Sequence, residues 1–238
     1  MLIFAGPNGS GKTTIINHLK DKINFGVYVN ADDIEQILLE GKVIMFRKYK
    51  LKLLNDDVQT FFRESKLSPI KHNNEGYWKN ITVVNNQLIL NPLVQIDSYL
   101  AADIAELIRQ QLLIANLSFS YETVMSHPDK INFLIKAKKM GYRIYLYYIA
   151  TEDPLININR VNVRVALNGH PVSPEVIERR YYKSLQNLKG AVKQTNRAYI
   201  FDNSGTASLL VAEITEGSDV IVIDPEKAPN WFIKYLVD

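Results

Sequence analysis

Eight residues constrain this chain more than any others. They are Gly6-Pro7-Asn8-Gly9-Ser10-Gly11-Lys12-Thr13, which match G-x-x-x-x-G-K-[ST] at every fixed position. An apolar run, 1–5, precedes them, and Ile15, Ile16, Leu19 and Ile23 follow at the spacing of one helical face. In such a strand, turn and helix, consecutive backbone N–H groups and the positive end of the helix face an anion together. The residues expected to cradle a nucleotide's phosphates are Gly6, Pro7, Asn8, Gly9, Ser10, Gly11, Lys12, Thr13 and Thr14. Lys12 would reach the β and γ phosphates of ATP, and the Thr13 hydroxyl would be the Mg2+ ligand. The plainer alternative is a glycine-rich turn that only joins strand to helix, and the fit of all eight positions with correct flanks speaks against it.

Composition excludes several classes. The 238 residues are 47% hydrophobic and 22% charged, enough for a large core and against disorder, and the expectation is one elaborated domain spanning 1–238. A net charge of +3, with basic residues scattered except around 47–52, makes a nucleic-acid partner unlikely as a first reading. Without cysteine there is no disulfide framework and no thiolate metal site, in keeping with a cytoplasmic protein. The first strand begins at residue 2, leaving no room for a signal peptide, and no apolar run approaches the ~20 residues of a membrane span.

Along the chain, Val27-Tyr28-Val29 reads as a short buried strand ending at Asn30-Ala31-Asp32-Asp33, with a helix to follow. Ligands of an open parallel sheet gather at the carboxyl ends of its strands, so Asp32 is placed to touch an acceptor; equally, Asp32 or Asp33 could only cap the helix. The segment at about 42–97 breaks the rhythm of short strand and amphipathic helix. Leu51, Leu54, Val58 and Phe61 suggest a helix, Pro69, Asn73-Asn74 and Gly76 a loop, and Asn85-Asn86 the turn of a β-hairpin between 81–84 and 87–90. It reads as an inserted α+β segment.

Asp97-Ser98 then caps a long helix through Leu100, Ile104, Leu107, Ile108, Leu112 and Ala115, and a strand over 117–121 ends at Glu122-Thr123. A helix capped by Ser126 stops at Gly141, and 142–149 reads as a strand buried on both faces. From Asp153-Pro154 a helix carries Leu155, Ile158, Val161 and Val165 on one face, with Arg160 and Arg164 together outside that stripe. Asn168-Gly169-His170-Pro171 turns the chain into a second helix starting at Ser173-Pro174, with Ile177, Tyr181, Leu185, Leu188 and Val192 on its stripe, Arg179 away from it and Arg180 at its edge. Two helices in hairpin with arginines near the turn, at about 153–195, look like the lid of a small kinase or like an ordinary surface pair. A strand over 198–201 ends in Asp202-Asn203-Ser204-Gly205, and 210–214 with 220–223 forms a last hairpin.

Several of these stretches together resemble the zeta-toxin-like P-loop kinases: Pro7 to Thr14, Asn30-Ala31-Asp32, Phe119 to Ser126, Gly141-Tyr142, Arg160 to Val165, Gly169-His170-Pro171-Val172, Arg179-Arg180-Tyr181 with 184–188, and Asp202-Asn203-Ser204. The resemblance covers 1–41 and about 98–205. It implies an α/β P-loop NTPase fold, three layers with a mostly parallel sheet and helices on both faces, plus a helical lid. It implies that Asp32 deprotonates an acceptor hydroxyl, that Glu122 with Thr123 stands at the acceptor site, and that Arg160 and Arg164 contact phosphate, with Arg180 a further substrate contact. The family's founding members phosphorylate UDP-N-acetylglucosamine and are held inactive by a small helical antitoxin, so a small-molecule acceptor and an antitoxin partner are implied as well. The long 42–97 segment departs from the family, and either covers the acceptor pocket or is a peripheral decoration or oligomer contact. The strand through Tyr148 runs into Ala150-Thr151-Glu152 and not into an aspartate, so the second magnesium contact is unassigned. The rival readings are a P-loop ATPase or switch, which would use water as acceptor, and a nucleic-acid end kinase, which would need a basic groove.

Overall fold

A computed structural model describes residues 1–72, 76–167 and 172–237. In chain order the elements are β1 (Leu2–Ala5), α1 (Lys12–Leu19), β2 (Val27–Val29), α2 (Ala31–Leu39), β3 (Ile44–Met45), α3 (Asn55–Glu64), α4 (Ser68–Lys71), β4 (Ile81–Val84), β5 (Gln87–Leu90) and α5 (Ser98–Ile114). They continue with β6 (Phe119–Thr123), α6 (Asp129–Lys139), β7 (Tyr145–Ala150), α7 (Pro154–Ala166), α8 (Pro174–Val192), β8 (Arg197–Asp202), β9 (Leu209–Thr215), β10 (Asp219–Val222) and α9 (Asn230–Phe232). The chain divides into two compact units, one of Met1–Phe25 with Ser120–Asp238 and the other of Gly26–Phe119.

In the first unit the strand order is β10-β9-β8-β7-β1-β6. β6, β1, β7 and β8 run parallel, while β9 and β10 add an antiparallel edge. The parallel strands carry apolar residues without alternation because helices cover both faces. On one face Phe25, Phe4, Tyr147 and Tyr199 form a stacked row with ring centroids 5.0–5.1 Å apart, closed by Ile15 and Ile16 of α1. Each such ring pair adds about 0.5–1.5 kcal/mol beyond its buried area. Tyr148, one residue on, points to the opposite face, where its hydroxyl shares a 2.9 Å hydrogen bond with Ser184 of α8. On β6, Tyr121 meets Phe133 of α6 edge to face.

The second unit is built around α5, whose Leu100, Ala101, Ile104, Ala105, Leu107, Ile108, Leu112 and Leu113 are buried nearly all round, as in a central helix. Asp97 caps it by accepting from Tyr99 and Leu100 N–H. The hairpin of β4 and β5 turns on Asn85 and Asn86 at φ 51 and 60, and with β3 makes a three-stranded antiparallel sheet, β3-β5-β4.

Several expectations are corrected. Neither Asp32 nor Asp33 caps α2; Asn30 does, its side chain accepting from Asp32 N–H at 2.9 Å. α1 ends at Leu19, and Ile23 joins its cluster from the following turn. Leu51 and Leu54 precede α3, which buries Val58 and Phe62, and Pro69 lies in the short helix α4. Glu122 and Thr123 belong to β6 itself. Ser126 does not cap α6, whose first residue is Asp129 after Pro128. On α7 the inward face is Asn157 and Val161, whereas Leu155 is 61% exposed. Asn73-Asn74 and Asn168-Gly169-His170-Pro171 lie outside the described residues.

Candidate phosphate and nucleotide site

β1 is flanked by β7 on one side and β6 on the other, so the chain leaves the sheet at Gly6 where strand order reverses, the position where open α/β sheets bind ligands. Gly6 N–H donates to Thr123 O at 3.2 Å, which ties the start of the loop to the end of β6. The loop then passes so close to its neighbours that side chains cannot fit. At Gly9 (φ 73) a Cβ would lie 2.5 Å from the Asn157 carbonyl oxygen, and at Gly11 (φ 95) it would strike the Asn203 amide.

Two buried asparagines hold the loop from outside. Asn157 of α7 donates from Nδ2 to Asn8 O at 2.6 Å and accepts from the Thr151 hydroxyl. Asn203, just after β8, donates to Ser10 O at 2.8 Å, accepts from Ser208 Oγ at 2.7 Å, and donates its own N–H to Ala150 O at 2.8 Å. Sequence reading missed both roles. The available signal was an asparagine of poor helix propensity amid the isoleucines of α7.

Within this frame Lys12 Nζ donates to Gly6 O at 2.9 Å and Pro7 O at 3.0 Å, which keeps the ammonium folded over the loop. No side chain caps α1 among the described residues, and no acidic residue lies in its first turn. The helix end therefore presents its positive dipole uncompensated. Asn8 Oδ1, Ser10 Oγ and Arg160 Nη1 are buried with no hydrogen-bond partner. Buried polar atoms are rarely left so, and three of the seven among the described residues gather at this loop. Next to the loop opens a cavity of about 780 Å3 lined by Thr14, Asn17, His18, Arg160, Phe201 and the segment 205–208 among others. Its size suits a nucleoside beside the phosphate cradle.

The remaining sequence-derived residues fall into distinct settings. Arg160 is half-buried and donates from Nη2 to Gly205 O at 3.3 Å, on the cavity wall. Arg164, one turn on, is exposed, and so is Arg179; Arg180 is half-buried on α8. Glu122 and Thr123 are half-buried, in register with Phe4 and Ala5 of β1, so they stand beside the loop at the strand ends. Asp32 belongs to the other unit, exposed in the first turn of α2. Its neighbour Asp33 has its carboxyl pushed above the usual range, first by burial and then by the charge of Asp32. Thr13 is exposed, and no cluster of three or more His, Asp or Glu that could hold a metal occurs among the described residues. The end of β7 turns its polar groups to structural use: Thr151 O accepts from Tyr181 Oη at 2.6 Å, and Glu152 accepts from Asn230 Nδ2 at 2.8 Å.

Parallel strands, a glycine-rich loop at the switch point and an uncapped helix after it define a P-loop nucleotide-binding protein. The zeta toxin family model matches residues 97–227, and the chain belongs to that family. No curated protein matches the sequence. Among solved structures, the AvrRxo1-ORF1:AvrRxo1-ORF2 complex with sulphate ions is similar at a TM-score of 0.51 and 14% identity, over 95% of this chain and 61% of that one. The native form of that complex gives 0.50 with the same identity and coverage. A structure from the PezAT chromosomal toxin–antitoxin system of the human pathogen Streptococcus pneumoniae gives 0.48 at 16% identity, over 87% of this chain and 69% of that one. This chain spans about three-fifths of the length of the AvrRxo1-ORF1 complex chains it matches, and at these identities the likeness is one of fold.

Proposed function

We propose that this protein is an ATP-dependent kinase that moves the γ-phosphoryl group of ATP to a hydroxyl of a small acceptor. The observation that carries the reading is the loop itself, braced from two sides and surrounded by the orphaned Asn8 Oδ1, Ser10 Oγ and Arg160 Nη1, beside an uncapped helix and a nucleoside-sized cavity. Membership of the zeta toxin family favours a kinase over a switch or hydrolase.

In this mechanism the loop amides hold the phosphates and Lys12 leaves the Gly6 and Pro7 carbonyls for the β and γ phosphates. Asp32 takes the proton of the acceptor hydroxyl as its oxygen bonds to the γ phosphorus, the bond from that phosphorus to the β–γ bridging oxygen breaks, and ADP leaves. Glu122 and Thr123 orient the acceptor at the end of β6, with Arg180 a further contact. Arg160 and Arg164 offset the charge of the transition state, where such arginines are worth ~10³ or more in rate. Mg2+ would neutralise phosphate charge, with the Thr13 hydroxyl as its protein ligand. The acceptor class most in keeping with the family is a UDP-amino sugar such as UDP-N-acetylglucosamine, and the partner class an antitoxin protein. The setting in which such a protein acts is the cytoplasm; among the described residues no helix is long and apolar enough to cross a membrane.

The test is a screen of nucleotide sugars, nucleosides and small alcohols with γ-labelled ATP, run on the wild type, Asp32→Asn and Asp33→Asn. Asp32→Asn is expected to leave ATP affinity nearly unchanged and lower transfer by ~10² or more, the worth of a positioned general base. Asp33→Asn should retain transfer. Full transfer by Asp32→Asn, or its loss in Asp33→Asn alone, would move the base to another residue, and phosphate release without any acceptor would make the protein a hydrolase.

A further inference from the structure

We infer that Trp231 is a positioning residue for the nucleoside wall of the phosphoryl-donor site, acting through Asp202; the inference rests on the nucleotide reading proposed above. The wall is the segment 205–208, which lines the cavity together with Thr14 and His18 of α1. Its near end is fixed by Asp202, the last residue of β8, whose carboxylate accepts three hydrogen bonds: Ser204 N–H at 3.0 Å, Ser204 Oγ at 2.9 Å and the Trp231 indole N–H at 2.9 Å. Ser204 Oγ in turn accepts from Glu152 N–H at 2.8 Å, and the Glu152 carboxylate accepts from Asn230 Nδ2. The indole is 3% exposed and packs against Tyr148 and Phe232, with ring centroids 6.2 and 6.3 Å away. A rigid buried donor thus reaches from α9 to the carboxylate from which the wall departs. Asn230 and Trp231 lie beyond the stretch that the family model matches, 97–227, whereas their partners Glu152, Ser204 and Asp202 lie within it.

The phosphate cradle is joined to the wall where Ser208 Oγ donates to Asn203 at 2.7 Å, but it also has anchors of its own. Asn203, which braces Ser10, is pinned by its own N–H to Ala150 O, and Asn157 braces Asn8 from α7. Loosening Asp202 should therefore free the 204–207 segment, while the Ala150 and Asn157 anchors keep the loop at Gly6 to Thr13 in place. The consequence is selective: ATP, which needs the wall, loses affinity, and inorganic triphosphate, which needs only the cradle, does not.

The experiment measures binding of ATP and of inorganic tripolyphosphate by calorimetry to the wild type, Trp231→Phe and Ser204→Ala, with the KM for ATP and kcat on the best acceptor. Trp231→Phe keeps the buried ring and removes only the donor. ATP affinity is expected to fall several-fold in Trp231→Phe, up to the ~10-fold that a whole hydrogen bond to a charged group would give if it held the wall only in the bound state, with KM rising in step and kcat within about twofold. Tripolyphosphate affinity should stay within about twofold, and Ser204→Ala should show the same split, which keeps the test open if Trp231→Phe does not fold. Equal losses for both ligands would show a merely structural role and overturn the inference. A wild type preferring ATP whose preference survives both substitutions would overturn it while sparing the nucleotide reading. A wild type that binds ATP no better than tripolyphosphate would remove the nucleoside cavity and this inference together.

Discussion

The two compact units use their buried polar side chains for different ends. In the unit of Met1–Phe25 and Ser120–Asp238, the buried Asn157 and Asn203 are aimed at backbone carbonyls of one glycine-rich loop, while Asn8, Ser10 and Arg160 keep polar atoms unmatched around it. In the unit of Gly26–Phe119, Tyr77 Oη is unmatched too, but Asp103, Asn86 and Asn55 bind the fold to itself. Asp103 of α5 accepts from Ser65 Oγ at 2.8 Å, from Ser68 N–H at 2.9 Å and from Ser68 Oγ at 2.5 Å, which fastens α4 to the central helix. Asn86 joins the hairpin to Leu51 and Leu53, and Asn55 accepts from Val83 N–H. Satisfied networks of this kind fix a structure, and unmatched atoms gathered at one braced loop set it apart from them.

The contrast breaks first at Lys12. If the first unit is built for phosphate, Lys12→Ala should abolish turnover and weaken ATP binding ~10-fold or more, since a hydrogen bond to a charged group is worth about 1.5–3 kcal/mol, with the fold intact by circular dichroism. Unchanged affinity in calorimetry would end the assignment.

Next in size, Asn157→Ala leaves Asn8 O and the Thr151 hydroxyl without their buried partner. ATP and tripolyphosphate should both bind ~10-fold more weakly, and hydrogen exchange of the α5 amides should not change. If exchange in α5 quickens and ligand binding does not, Asn157 is a stability residue and the distinction between the units fails.

The smallest effect on function is expected at Asp103. Asp103→Ala should destabilise the second unit by about 1–3 kcal/mol, the cost of buried donors left unmatched, while ATP affinity moves less than twofold. Burial pushes the Asp103 carboxyl above the usual carboxylate range, although the Ser68 and Ser65 hydrogen bonds oppose the rise. A raised folded pKa contributes stability that is fully present below the unfolded pKa and is lost as pH rises through the folded one. Relative to Asp103→Asn, which cannot ionise, the wild type should thus lose stability on going from below pH 3.8 upward through that raised pKa. Thermal melts of the two proteins across that window, compared by difference, check the sign; a difference that stays flat would mean the carboxyl titrates alike folded and unfolded.

Local signals carried much of this structure. The glycine-rich loop, the Asn85-Asn86 turn, the Asp97 cap, the helix start at Asp153-Pro154, the stop at Gly141 and the stripe of α8 depend on residues within a few positions of one another, and all stand where spacing places them. Signals failed where two local readings competed. Asp32 and Asp33 suit a cap as well as Asn30 does, and only the backbone path after β2 put the extended, capping conformation at Asn30. On α7 the isoleucines and valines suggested a face through Leu155, but the loop beside the helix offered an unmatched carbonyl at Asn8, and meeting it turned Asn157 inward.

The sequence by itself determined a P-loop nucleotide-binding α/β fold, because a turn that exposes its amides to phosphate needs glycines, a lysine and a hydroxyl at set intervals along a single stretch of chain. The braces on that turn were decided by tertiary structure alone. Asn157 lies 149 residues from Asn8, and Asn203 lies 193 residues from Ser10, separations over which no spacing rule operates. Which distant side chain meets a carbonyl depends on how the sheet stacks its strand ends and how the helices settle on it, and those are set by packing over the whole unit.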